Sequence, residues 1–173
     1  MLKSVLSWIF LIGFLPSLLV GCESTGGLGY DLVRLDDEMK LFYQSEKEGN
    51  EEGYRQKINP LIEKRSPAVF ADMVARIRYR RSLSGAPDYR CCRFSPIAKQ
   101  SDLGRLVWIR CIVTRRSSKY WEVYIGSVVS PEKLATKQYE NSLYLEQIGT
   151  SSREPPWGIP WPEYEGVGEC DAF

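Results

Sequence analysis

Two apolar runs of similar length, separated by a short polar stretch, constrain this chain more than any other feature. Arg105 to Thr114 carries Leu106, Val107, Trp108, Ile109, Ile112 and Val113, and Tyr120 to Val129 carries Trp121, Val123, Tyr124 and Ile125. β-branched and aromatic side chains suit the half-buried surface of a pleated sheet. With the polar turn Arg115–Lys119 between them, the two runs predict an antiparallel hairpin. In the second run Trp121, Val123, Ile125, Ser127 and Val129 share one face, and Tyr120, Glu122 and Tyr124 share the other, because strand side chains alternate. Aromatics on both faces predict a sheet at least partly covered on each side.

Helical patterns precede the hairpin. From Tyr30 to about Glu48, Leu32, Leu35, Met39 and Phe42 recur at helical spacing, and Gly49-Asn50 ends the pattern. Asn59-Pro60 and Ser66-Pro67 each pair an N-cap residue with proline in the first turn. In the second of these helices Phe70, Met73, Val74 and Ile77 form one apolar face, Asp72 and Arg76 sit four apart and can pair, and Ser82 to Pro87 closes it as a loop. Tyr89 to Phe94 is a further candidate strand. Ser130-Pro131-Glu132-Lys133 reads as another helix start, and Leu143 to Ile148 fits neither helix nor strand well. The sum is an α+β fold: N-terminal helices, a small antiparallel sheet, then an irregular Pro/Trp-rich tail from 149 to 173.

The N-terminus has a different character. Met1-Leu2-Lys3 is charged, and Val5 to Leu15 is almost purely apolar. That run falls short of the roughly 20 residues a permanent spanning helix needs, and the pattern is that of a removable secretory signal. Leu19-Val20-Gly21-Cys22 then resembles the lipobox of bacterial lipoproteins. The resemblance covers only about the first 25 residues. It implies a diacylglycerol on the Cys22 thiol, cleavage before Cys22, and membrane lipid as the first partner. Glu23 stands where an Asp commonly retains Gram-negative lipoproteins at the inner membrane, so the resemblance implies the outer membrane, on its periplasmic face or at the cell surface. The organisation expected is therefore a signal peptide over 1–21, a Gly/Ser-rich tether over 22–29, and one α+β domain over 30–173.

With Cys22 assigned to lipid, Cys91, Cys92, Cys111 and Cys170 remain. An even number in an oxidising compartment reads as two disulfides. Adjacent cysteines seldom bond to each other, so one of Cys91 and Cys92 is expected to reach Cys111 and the other Cys170; both assignments stay open. The bridge over the longer loop contributes about 4 kcal/mol in the chain-entropy model. With no histidine in the chain and no Cys-x-x-Cys spacing, no metal site and no cofactor are expected.

Removing the signal takes away Lys3 and leaves 22 basic and 22 acidic residues, a balance that argues against nucleic acid as a partner. Absence of histidine removes every Ser-His or Cys-His nucleophile pair. Three functional features remain. Arg76, Arg78, Arg80 and Arg81 crowd one helix end, either to meet anionic head groups or wall carboxylates or to complement the helix dipole. Trp157, Trp161 and Tyr164 offer stacking surface to a sugar or a partner, or pack back on their own domain. Asp36-Asp37-Glu38 and Glu163, Glu165, Glu169 and Asp171 supply carboxylates of the kind glycosidases use, with nothing to set their spacing. The leading expectation is a lipid-anchored, non-enzymatic envelope protein that binds a protein partner, as an assembly subunit, inhibitor or immunity factor. A cell-wall or glycan-binding module using the tail aromatics is the alternative, and a carboxylate-based envelope hydrolase the weakest.

Overall fold

The structure, a computed structural model, describes residues 32–129, 143–152, 165–166 and 170. Cys22, the tether, the 130–133 helix start and Trp157, Trp161 and Tyr164 lie outside the described residues.

The first helix, α1 (Leu32–Glu48), buries Leu35, Met39, Phe42 and Tyr43. It stops where Gly49 turns left-handed at φ 74°, with the Gly49 amide on the Glu46 carbonyl and the Asn50 amide on the Ser45 carbonyl. Glycine takes this conformation without a Cβ penalty. Asn50 then caps a five-residue helix, α2 (Glu51–Arg55), by accepting from the Gly53 amide; the sequence pattern did not anticipate it. Asn59 caps α3 (Pro60–Arg65) through the Leu61 amide. Before α4 (Pro67–Ser84) Ser66 makes no side-chain cap bond, and its amide instead closes α3 on the Ile62 carbonyl. Phe70, Met73, Val74 and Ile77 are the buried face of α4. The helix runs further than the expected loop start at Ser82 and ends at Gly85, φ 82°.

Four long antiparallel strands follow: β1 (Asp88–Gln100), β2 (Gly104–Arg115), β3 (Ser118–Val129) and β4 (Leu143–Ser152). A two-residue β5 (Glu165–Gly166) completes the order β4-β3-β2-β1-β5. The expected hairpin is β2–β3, in unbroken register from Gly104↔Val129 to Arg115↔Ser118. Its turn is tighter than the expected Arg115–Lys119. Only Arg116 and Ser117 stand outside the strands, both at positive φ (46° and 63°), the mirror-image turn whose twist matches the flanking strands. Leu143 to Ile148 resolves as strand, and β4 continues to Ser152, four residues into the tail expected to be irregular.

β4 is irregular where it matters below. Ile125 pairs with Gln147 and Gly126 with Leu145, so Glu146 is an extra residue in a β-bulge. At Gly149 a Cβ would overlap the Val123 carbonyl. The chain at 57–59 extends the sheet beyond β4, with the Leu145 amide on the Lys57 carbonyl and the Asn59 amide on the Leu145 carbonyl.

The helices cover one face of the sheet. There Phe42, Ile77, Phe94, Val107 and Ile109 are fully buried, each contributing about 1.5–3 kcal/mol of transfer free energy. A smaller cluster of Cys91, Ile112, Trp121 and Cys170 lies apart from this core. Cys91 and Cys92, adjacent on β1, divide as alternation requires. Cys92 faces Cys111 across the β1–β2 ladder, and Cys91 meets Cys170 with 5.8 Å between Cα atoms. Both pairs stand at disulfide distance, which settles the choice left open by the sequence.

Candidate functional site

Two gatherings of charged side chains stand out among the described residues, and the first is buried. The α1 stripe Leu35, Met39, Phe42 continues at the same spacing to Glu46, and the α4 face ending at Ile77 continues to Arg80. Both helices therefore carry a charge to the sheet, where Glu122 and Tyr124 of β3 and Arg115 at the end of β2 meet them. Arg115 bridges the two acids, with Nε 2.9 Å from Glu122 Oε1 and Nη2 2.7 Å from Glu46 Oε1. Its Nη1 donates to the Gly85 carbonyl at 2.7 Å. Arg80 reaches Glu46 at 2.7 Å, Glu122 at 3.1 Å and the Tyr124 hydroxyl at 2.8 Å. Tyr43 donates to Glu122 at 2.8 Å and lies 2.7 Å from the Tyr124 hydroxyl.

This six-residue network pins α1 and α4 to the sheet. Glu46 and Glu122 have no exposed surface. Burial pushes the Glu122 carboxyl up, but the guanidiniums of Arg80 and Arg115 outweigh it and hold the group below the ordinary carboxylate range. Burial likewise pushes the Tyr43 and Tyr124 phenols well above theirs, with the Glu122 charge acting in the same direction. Two arginines balance two carboxylates, so the cluster is neutral and its bonding capacity is spent inward. Its chemistry is architectural: one acid removed leaves an arginine buried without its counter-ion.

The arginine cluster of α4 is largely spent in the same way. Arg76 pairs with Asp72 at 2.7 Å, Arg78 grips both oxygens of Glu51, and Arg81 donates to the Lys47 carbonyl at the end of α1. The acidic triplet disperses too. Asp36 accepts from the Tyr89 hydroxyl and the Cys92 amide. Glu38 pairs with buried Lys57 at 3.2 Å and accepts from the Leu143 amide. Desolvation raises the Asp36 carboxyl, with the Tyr89 and Cys92 bonds opposing it. Of the C-terminal acids, Glu165 contributes its backbone to β5, and Glu163, Glu169 and Asp171 lie outside the described residues.

The second gathering is open. A cleft of about 380 Å³ separates α3 and the start of α4 from the β1–β2 turn and the β4 bulge. Leu61, Ile62 and Val69 form an apolar wall, and Asn59, Ser101 and Glu146 supply polar groups. Bulging turns Glu146 out of the strand register, where its Oε1 accepts from Asn59 Nδ2 at 2.7 Å and from the Ser127 hydroxyl. Ser127, fully buried, also bonds to the Ser101 hydroxyl. Arg65 and Asp102 form an exposed ion pair at the rim. Nothing in the sequence marks Asn59, Ser101, Ser127 or Glu146 as a site residue. The only cue was the poor fit of Leu143–Ile148 to either period, which is what a bulge does to a strand pattern.

Among the described residues no group of three His, Cys, Asp or Glu side chains could hold a metal ion, and no helix is long and apolar enough to cross a membrane. Comparison with known proteins finds no matching family, no matching curated relative and no matching solved structure.

Proposed function

We propose that this chain is a lipid-anchored protein of the bacterial envelope that works by binding a protein partner, without catalysis of its own. The observation carrying the reading is Leu19-Val20-Gly21-Cys22 placed directly behind a charged start and a short apolar run. Acyl chains on Cys22 anchor firmly, because each buried methylene contributes about 0.8 kcal/mol. The domain behind the tether supports a holding role: a buried ion network pins two helices to the sheet, and two cysteine pairs tie β1 to β2 and to Cys170. A braced domain loses little conformational entropy when it docks.

The anchor is tested by Cys22→Ser, which abolishes lipid labelling and cleavage at this site; normal processing of the variant overturns it. Mild crosslinking of cells carrying the tagged, full-length chain tests the partner. One stoichiometric envelope protein identified by mass supports the binding reading, and recovery of wall fragments and lipid alone overturns it.

A further inference from the structure

We propose that the cleft between α3 and the β4 bulge is a binding site for a primary alkylammonium group, the chemistry of a lysine side chain. Its floor is Glu146, which differs from the other acid of the cleft. Asp102 is paired with Arg65, whereas no cation among the described residues stands against Glu146. Donors from Asn59 and Ser127 converge on Oε1 alone. Both fix the carboxylate's orientation without neutralising it, and Asn59 is itself held by the Leu61 amide on its Oδ1 at 2.8 Å. The second oxygen accepts no bond from a described residue and belongs to a side chain lining the cleft.

A carboxylate held through one oxygen, with no described donor on the other, can accept a charge-assisted bond, which is about twice as strong as a neutral one. The rest of the cleft selects the cation. Leu61, Ile62 and Val69 line one side and match the methylene stem that a lysine buries along apolar surface. The volume falls at the low end of ligand pockets, roughly 300–1,000 Å³, and takes a single extended side chain. Among the described residues the lining holds two carboxylates against one guanidinium, Arg65, an excess of one negative charge. A positively charged guest restores neutrality. The site stands on this geometry and is independent of the lipid anchor.

The test uses the full-length chain in detergent micelles and follows the backbone amides of Ser101, Gly104 and Glu146 by NMR. The probes are 1-aminopentane, the peptide acetyl-Gly-Lys-Gly-amide, and the same peptide acetylated on the lysine Nζ. Saturable shifts from an amine-bearing probe, absent with the acetylated peptide, support the site. Preference for the peptide assigns the source to a lysine on a partner protein, and preference for 1-aminopentane to a small soluble amine. Glu146→Gln weakens binding about tenfold or more, the loss expected of one charge-assisted bond. Val69→Lys, at a half-exposed position on the wall, brings a competing ammonium to the cleft and weakens binding even where the floor is untouched. Equal binding of the acetylated peptide, no saturable shift from either amine, or unchanged affinity in both folded variants overturns the proposal.

Discussion

The buried network and the cleft are built from the same carboxylate chemistry and differ in how far it is satisfied. Around Glu122, two arginines and two tyrosines supply donors from three directions, and the carboxylate has no exposed surface. Around Glu146, two neutral donors hold one oxygen from one side. A closed polar network fixes the relative position of the elements that carry it, and a half-closed one leaves bonding capacity for something else. Glu122 holds the fold together, and Glu146 keeps one oxygen without a donor among the described residues.

The largest break in this comparison comes from Arg115→Met. The methionine replaces the stem but leaves Glu46 and Glu122 buried with one cation fewer, which costs about 3–5 kcal/mol. Urea unfolding followed by circular dichroism measures it. A loss under 1 kcal/mol contradicts the role assigned to Arg115, which bridges α1, β3 and the carbonyl of Gly85.

Much of the fold was legible because its strongest signals are periodic. The hairpin, the buried face Phe70, Met73, Val74 and Ile77, and the Asp72–Arg76 pair all follow from spacing. So does the division of Cys91 and Cys92 between two partners, since neighbours on a strand point apart. Which cysteine took which partner depended on the face each one presents to β2, and that is set by a register shift between Tyr89 and Cys91 with no sequence mark. α2 was missed because five residues carry no period. The two-residue turn at Arg116-Ser117 lacks the Asn-Gly signal that normally announces it. The buried network was half legible. Glu46 and Arg80 extend apolar stripes by one turn, and Glu122 sits between Tyr120 and Tyr124 on a single face. That these charges meet one another is a tertiary fact. Asn59, Ser101, Ser127 and Glu146 converge from four separate segments, and a bulge redirects the last.

A pH profile of stability sharpens the contrast and shows an effect next in size. The folded Glu122 carboxyl lies below its unfolded value of about 4.3, so its contribution is fully present above that value. It is lost as the pH falls through the folded one. Tyr43 and Tyr124 act at the other limb. Their folded phenols are raised above the unfolded value of about 10, so stability is full below that value and falls as the pH rises beyond it. Glu122→Gln flattens the acid limb while lowering stability at neutral pH, and chemical denaturation across pH measures both. An acid limb unchanged by the substitution contradicts the role given to Glu122.

Tyr43→Phe is milder. It removes one hydroxyl that donates to Glu122 and contacts Tyr124, while Arg80, Arg115 and Tyr124 still hold the carboxylate. Hydrogen bonds to charged groups contribute about 1.5–3 kcal/mol, and the remaining donors place the loss near the lower figure. Thermal unfolding reads this as a lower Tm with the same cooperativity.

Glu146→Gln completes the series with the smallest effect on stability, under about 1 kcal/mol. Glutamine keeps a carbonyl oxygen to accept from Asn59 and Ser127, so the two bonds that seat the side chain survive. What disappears is a charge with no cationic partner among the described residues, whose removal strands nothing. The same chemical change at Glu122 leaves Arg80 and Arg115 facing one acid where there had been two. Parallel urea titrations of the two variants therefore separate the regions: a large loss for Glu122→Gln and a small one for Glu146→Gln are expected. Comparable losses would mean that the cleft carboxylate also holds the fold together, and its open oxygen would then lose its significance as a place for a guest.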